Sequence, residues 1–346
     1  MNWPTVTLRK ICEFRYGKSL PDKTRVPGSY AVYGSNGTVG SHEEALTQGD
    51  TIIVGRKGSI GEVNYSPSPC WPIDTTYYID KTATRENLKW LTYTLKGLGL
   101  DRLNKATGVP GLNRNDAYEK RLVLPPLNEQ KRIVAILDQA DNLRRLRQRT
   151  IDHLITLRQS IFYKMFEEPA VSKQFKASPL TDFFDFRTGK LDSNAAIKDG
   201  AYPFFTCSRE DFKINDYAFD CEALLLAGNN ASADYSVKHY AGKFNAYQRT
   251  YVLTLSDKSN SYVYAKEALE RKLSELKFAS KGSNTKYLTM SIFREMKIPV
   301  PSYELQDKFA AKLKSLMALA ASFNSDLTKL NSLYSSLQHR AFRGEL

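Results

Sequence analysis

Glycine-bounded turns that carry cations are the places in this chain where residue type and spacing could do chemistry. Gly55-Arg56-Lys57-Gly58-Ser59-Ile60-Gly61 puts two cations and a hydroxyl on one pliable turn. Glycine lets a backbone come close to a phosphate, arginine forks onto guanine or phosphate, and serine bonds either. Tyr33-Gly34-Ser35-Asn36-Gly37 adds an aromatic ring and an amide on a second turn, and Lys105 through Arg114 (KATGVPGLNR) is a third. Further along, Thr206-Cys207-Ser208-Arg209, Gly228-Asn229-Asn230 and Lys281-Gly282-Ser283-Asn284-Thr285-Lys286 stand at corresponding places, and Arg15-Tyr16-Gly17-Lys18 is echoed by Arg187-Thr188-Gly189-Lys190. A single basic turn is more often ordinary surface than a site. Matched turns in two basic segments shift the weight towards polyanion contact.

Catalytic patterns are missing from the sequence. Gly17-Lys18-Ser19 resembles the end of a phosphate-binding loop, but Cys12 stands where that loop needs its upstream glycine. There is no G-x-G-x-x-G, H-E-x-x-H or G-x-S-x-G. The only Pro-Pro, Pro125-Pro126, follows leucine rather than the amide or carboxylate that an amino-methyltransferase loop would carry. Glu275-x-Lys277 with Asp257 upstream is the loosest match to a nuclease, and it sits in a run better read as a solvated helix. No catalytic residue and no metal site is expected. Cys12, Cys70, Cys207 and Cys221 lie far apart without ligand spacing, which suits free thiols in a reducing compartment. No basic-then-apolar leader and no membrane-length apolar run occurs, so the expected location is cytoplasmic, with no membrane partner.

The elements around these turns come in two passes, and the chain reads twice. Gly28-Ser29-Tyr30 meets Gly200-Ala201-Tyr202, Thr76-Tyr77 meets Thr250-Tyr251, Gln130 meets Gln306, and Phe162 meets Phe342. In 346 residues the excess of Lys+Arg over Asp+Glu is +13, spread along the chain rather than gathered in a tail. Such an excess on folded domains suits duplex nucleic acid lying across the molecule. Asp50–Gly55 and Ala223–Gly228 read as matched strands, as do Thr75–Ile79 and Thr250–Thr254, with helices at about 86–98 and 262–278.

Two stretches carry heptads. From about Asn128 to Phe166 the a and d positions read Ile133, Ile136, Ala140, Leu143, Leu154, Leu157 and Ile161, interrupted by Arg147, Thr150 and Lys164 and widened by Leu137, Ile151 and Met165. From about Glu304 to Arg340 the seam is cleaner: Phe309, Leu313, Leu316, Ala320, Phe323, Leu327, Leu330, Tyr334, Leu337 and Ala341. Two lone helices of this kind are poorly stable, so an antiparallel pair is expected. The fold class is α+β. Two mixed α/β domains (1–126 and 169–301) are separated by two long helices (127–168 and 302–346) that form an antiparallel coiled coil, with an internal pseudo-twofold repeat.

The proline-led junction Leu127-Asn-Glu-Gln-Lys-Arg-Ile133, its echo Pro301-Ser-Tyr-Glu-Leu-Gln306, the terminal Ser336–Leu346 and the Gly55–Gly61 turn together resemble the DNA-specificity subunits of type I restriction-modification systems. The resemblance covers essentially the whole chain. It implies two target recognition domains, each reading half of a bipartite, asymmetric double-stranded DNA site, and helices that set the spacer and dock methyltransferase subunits, two of them. It also implies that S-adenosylmethionine, ATP and Mg sit on those partners and on recruited motor-nuclease subunits, with no cofactor on this chain. The expected DNA contacts are Arg15, Lys18, Tyr33, Asn36, Arg56, Lys57, Ser59, Lys105 and Arg114, then Arg187, Lys190, Arg209, Asn229, Asn230, Lys281, Ser283, Asn284 and Lys286. Arg144, Arg145 and Arg158, on outer helix faces, are candidates for partner contact. The second half departs from the first where Gly228-Asn229-Asn230-Ala231 replaces the basic turn. The rival readings are a self-sufficient nuclease or methyltransferase at a bipartite site, and a structural DNA clamp without sequence readout.

Overall fold

The computed structural model describes residues 3–103 and 111–346, and the chain divides into two compact units, Met1–Arg149 with Ser325–Leu346 and Thr150–Asn324. The division cuts through both long helices. Each unit takes part of each helix.

In the first unit, Thr51–Gly55 is buried along its whole length at the middle of an antiparallel sheet. Val63–Ser66 pairs on one side of it, and Thr76–Asp80 then Arg15–Tyr16 follow on the other. A second sheet sets Tyr30–Gly34 between Gly37–His42 and a parallel partner, Cys70–Pro72. The helix Leu88–Gly97 begins where the Asn87 side chain accepts the Trp90 N–H at 3.0 Å. It contributes Trp90, Leu91 and Leu95 to one core with Ile52, Val54 and Ile79 of the sheet and Ile133 and Leu137 of the first long helix, Leu127–Phe162. Each such side chain contributes about 1.5–3 kcal/mol by leaving water.

The second unit repeats the plan. Its six-stranded sheet runs Phe184–Thr188, Thr250–Leu255, Phe219–Ala227, Val237–Ala246, Tyr202–Phe205, Phe212–Ile214. Val237–Ala246 does the work of two strands of the first unit, pairing antiparallel with Phe219–Ala227 and parallel with Tyr202–Phe205. In the first unit Pro67 and Pro69 separate the equivalent strands, because proline cannot donate to a ladder. The helix Tyr262–Arg271 is capped by Ser261 and is followed by a separate one, Leu273–Ala279, where the sequence pattern read as a single helix. Tyr264 stands where Trp90 does. Its ring meets Phe162 at 5.7 Å and Phe166 at 4.9 Å, and Phe309 lies 5.4 Å from both phenylalanines. That knot fixes the end of the first long helix to the second sheet's core.

The second long helix is Tyr303–Arg343. In the first unit the two helices run antiparallel: Arg144 Nε donates to Asn331 Oδ1 at 2.7 Å, while Arg147, one turn on, pairs with Asp326 at 3.4 Å. The second helix keeps the seam read from sequence, with Phe309, Leu313 and Ala341 buried. The first does not. Leu143 and Leu157, expected in the seam, are 48% and 45% exposed, while Leu137 and Ile151 are buried. The inward line is Ile133, Leu137, Ala140, Arg144, Arg147, Ile151, Leu154, Arg158 and Phe162. Ile133, Ala140, Arg147 and Leu154 stand in the seam as read; between them the reading took Ile136, Leu143, Thr150 and Leu157 where Leu137, Arg144, Ile151 and Arg158 turn inward, one residue off.

One junction occurs twice with the same bonds. Gln130, wholly buried, accepts the Asn87 N–H at 2.9 Å and donates to the Pro125 carbonyl at 2.9 Å. Gln306, also wholly buried, accepts the Ser261 N–H at 2.8 Å and donates to the Pro301 carbonyl at 2.9 Å. Each amide thus ties the first turn of a long helix to the cap of its domain's own helix. The second amide hydrogen differs: Gln130 gives it to the Glu86 carboxylate at 2.6 Å, Gln306 to the Asn260 amide at 2.7 Å.

Candidate nucleic-acid interface

The basic turn of the first unit is held by its own backbone. Gly61 N–H closes back on the Gly55 carbonyl at 2.8 Å, and a Cβ on Gly55 would fall 2.0 Å from the Ser59 carbonyl. Gly61 has φ +70°, a conformation that only glycine adopts without strain. The Thr75 carbonyl collects the Arg56 N–H at 2.9 Å, the Lys57 N–H at 3.1 Å and the Ser35 hydroxyl at 2.8 Å. It therefore brings the second turn beside the first. Of the third turn the described part, 111–114, joins through Leu112 N–H, which donates to the Arg56 carbonyl at 2.8 Å. Arg56, Lys57, Ser59, Tyr33, Asn36 and Arg114 thus share one neighbourhood, with Lys57, Ser59 and Asn36 exposed. Lys18 is exposed on the adjoining turn, its ammonium 5.7 Å from the Trp71 ring. Lys105 lies outside the described residues.

Arg15 does not join them. Side chains alternate along a strand, so Arg15 and Tyr16 point to opposite faces. Arg15 turns to Asp80 at 3.4 Å and Glu13 at 3.4 Å, and Tyr16 takes the place beside the turns. The Arg56 guanidinium stacks 5.2 Å from the Tyr16 ring and 6.0 Å from Tyr77. Arg114 also stacks 5.2 Å from the Tyr16 ring and donates to the Phe14 carbonyl at 3.2 Å. Among the described residues neither arginine is paired with a carboxylate. Tyr16, Tyr77 and Tyr118 are functional candidates that the sequence reading missed; period-two alternation next to Arg15 was the available signal.

The second unit builds the same scaffold around different side chains. Gly228 N–H donates to the Arg249 carbonyl at 2.8 Å, and Leu288 N–H donates to the Gly228 carbonyl at 2.8 Å, repeating the bonds of Arg56. Gly228 therefore occupies the Arg56 position. No side chain fits there, since a Cβ would stand 2.4 Å from the Arg249 carbonyl and 2.8 Å from the Tyr251 ring. Asn229 and Asn230 pair with Tyr287 and Lys286, which brings the Lys281–Lys286 turn alongside and leaves Ser283 and Asn284 exposed at its tip. Asn230 is largely used in shaping its own turn, accepting from Ser232 N–H at 2.9 Å. Arg209 is paired with Asp234 at 2.8 Å, and both remain exposed. Arg187 and Lys190 are exposed. Where the first unit has arginines on tyrosines, the second has the ring cluster Phe186, Tyr251 and Phe293, with centroids 4.8–6.0 Å apart.

Of the three helix arginines, only Arg145 keeps the expected outward position, exposed and paired to Asp141 at 2.8 Å. Arg144 lies across the helix pair, 4.5 Å from the Tyr334 ring. Arg158 turns to Glu267 and Glu270 of the domain helix, where burial pushes the Glu267 carboxyl up and Arg158 pulls it back. Both corrections have one cause: the arginines occupy seam positions. Burial, with help from Glu86, pushes the Cys12 thiol up to about 12, which leaves it a poor nucleophile. Among the described residues no three His, Cys, Asp or Glu side chains gather as metal ligands, and no helix is long and apolar enough to cross a membrane.

Comparison with known proteins places this geometry. The family model for the type I restriction modification DNA specificity domain matches residues 1–156 and again 172–331. The EcoDI type I restriction enzyme specificity subunit of Escherichia coli is 35% identical over 176 residues, half of this chain and 38% of that protein. The MjaVIII specificity subunit of Methanocaldococcus jannaschii is 25% identical over 262 residues, 64% of this chain and 61% of that protein. The chain thus spans less than two thirds of each of these relatives. The crystal structure of a type I restriction-modification S subunit from M. genitalium shares the fold at TM-score 0.68 and 20% identity, covering 99% of this chain and 96% of that one. A chain from a study of complex assembly and conformational transition of the type I R-M system aligns at TM-score 0.62 and 15% identity, covering 99% and 98%. With its model matched once in each half, the chain belongs to the type I restriction modification DNA specificity domain family.

Proposed function

We propose that this chain is the non-catalytic, sequence-reading subunit of a type I restriction-modification complex, each unit reading one half of a bipartite, asymmetric site on double-stranded DNA. One observation carries the reading: the backbone bonds that hold Arg56 recur around Gly228, while the side chains displayed there differ completely. A repeated scaffold with divergent displays is what two different half-sites require. Each long helix contributes to both units, so its length is the natural ruler for the spacer.

The helices also suit partners. In the first unit Leu143 and Leu333 are about half exposed on the two helices, and in the second unit Ile155 and Met317 are, apolar surface in each that suits further helices. Two methyltransferase subunits are the proposed occupants, bringing S-adenosylmethionine, with ATP-driven and Mg-dependent motor-nuclease subunits joining them.

The test is a domain exchange. Residues 1–126 are replaced with the equivalent domain of another family member, and the methylated motif is read in the host. One half of the motif should change while the other half and the gap stay fixed. A change in both halves would overturn the modular reading, and methyl transfer or cleavage by the purified chain alone would overturn the non-catalytic one.

A further inference from the structure

The five stacked residues from Arg9 to Arg56 form a ladder confined to the first unit. Arg9 lies 4.8 Å from the Tyr118 ring, Arg114 lies 5.9 Å from Tyr118 and 5.2 Å from Tyr16, and Arg56 lies 5.2 Å from Tyr16. We infer that Arg56 is the guanine reader of the first half-site, held in place by this ladder. The inference rests on the sequence-reading function proposed above.

The rungs are not equivalent. Arg9 is committed to Glu119 at 3.8 Å and Asn115 at 3.4 Å, and Arg114 is tied to the Phe14 carbonyl. Arg56 donates no side-chain hydrogen bond to any described residue, and its Nε is buried without a partner. The two Nη groups are the donors left for a ligand. Stacking on Tyr16 holds the guanidinium plane. Tyr77 lies 6.0 Å from the same guanidinium, buried, with its hydroxyl donating to the Leu112 carbonyl at 3.1 Å, so the second ring beside Arg56 is itself fixed. A rigid planar fork with no carboxylate partner fits the O6 and N7 acceptors of guanine in the major groove. Lys57 and Lys18, exposed on mobile stems close by, suit phosphate as point charges. At the equivalent position of the second unit, Gly228 offers no side chain, so the second half-site must be read by other groups.

The test takes the full chain, affinity-purified from its host with the subunits that accompany it, and selects bound duplexes from a randomised library. Wild type should yield a two-part motif with a fixed guanine in one part. R56A and R56K should both lose preference at that guanine, while the other part keeps every position. Replacing that guanine with 7-deazaguanine should weaken wild-type binding about tenfold or more and leave R56A binding unchanged. The deazaguanine arm uses unmutated protein and does not depend on the folding of any variant. If R56A binds all sequences more weakly but keeps the whole motif, Arg56 touches phosphate and the inference fails while the function stands. If wild type selects no motif at all, the function and the inference fail together.

Discussion

The duplicated glutamine junction supports an asymmetric prediction. Replacing Gln130 with alanine leaves the Asn87 N–H and the buried Pro125 carbonyl without partners and removes the bond to Glu86. At about 1–3 kcal/mol per buried group left unsatisfied, Q130A should cost about 2–4 kcal/mol. Q306A removes the same pair of bonds and should cost a similar amount. Glutamate separates the two sites. In Q130E a carboxylate replaces the donor that faces Glu86 at 2.6 Å, and two carboxylates that close resist joint ionisation. In Q306E the neighbour is the Asn260 amide, which can turn to donate. Q130E should therefore be the more damaging by about 1 kcal/mol or more at neutral pH. The sign of its pH dependence follows. Repulsion raises the folded-state pKa of the carboxylate pair, so stability is retained at low pH and lost as pH rises, and the gap between the variants should close towards pH 5. Hydrogen exchange at the Asn87 and Ser261 amides, read alongside urea unfolding, follows each junction separately. Equal losses for Q130E and Q306E, or a Q130A protein within about 0.5 kcal/mol of wild type, would rule out this role for the two amides.

Two further outcomes follow from the same contacts. R158A leaves the Glu267 carboxylate, 4% exposed, without its partner and should cost about 3 kcal/mol at neutral pH; the deficit should shrink on acidification as Glu267 takes a proton, and R158A/E267Q should recover much of it in thermal melts. The Tyr77 phenol is pushed up to about 12 by burial, with Tyr16 adding to the effect. Because the unfolded phenol ionises first, the first unit should lose stability between about pH 10 and 12, and Y77F should flatten that loss in alkaline melts, whereas an unchanged alkaline slope would place the titration elsewhere.

Much of the architecture was written in patterns that a single sequence displays. The repeat rests on motifs matched between the two halves of the chain, and the strands at Thr51–Gly55 and Thr76–Asp80 and the second helix's seam rest on local pattern; these stand as read. Alternate positions of the first helix's seam were misread because Arg144 and Arg158 fill them through partners distant in sequence. The site was legible as turns and illegible as an arrangement. Glycines and cations mark Gly55–Gly61 in the sequence, but the meeting of Tyr16, Arg56 and Arg114 depends on strand pairing and on the Leu112–Arg56 bond. The glutamines at 130 and 306 stood out as a junction motif, yet their role emerges only where the domain helices come to them.

Two halves of one scaffold are proposed to read two different DNA words, and this can be tested in the host. Sequencing the host methylome with and without this gene tests it most directly. One two-part motif with unequal halves and a constant gap should lose its methylation, and that motif alone. An unchanged methylome, or loss of a single uninterrupted or palindromic motif, would contradict it.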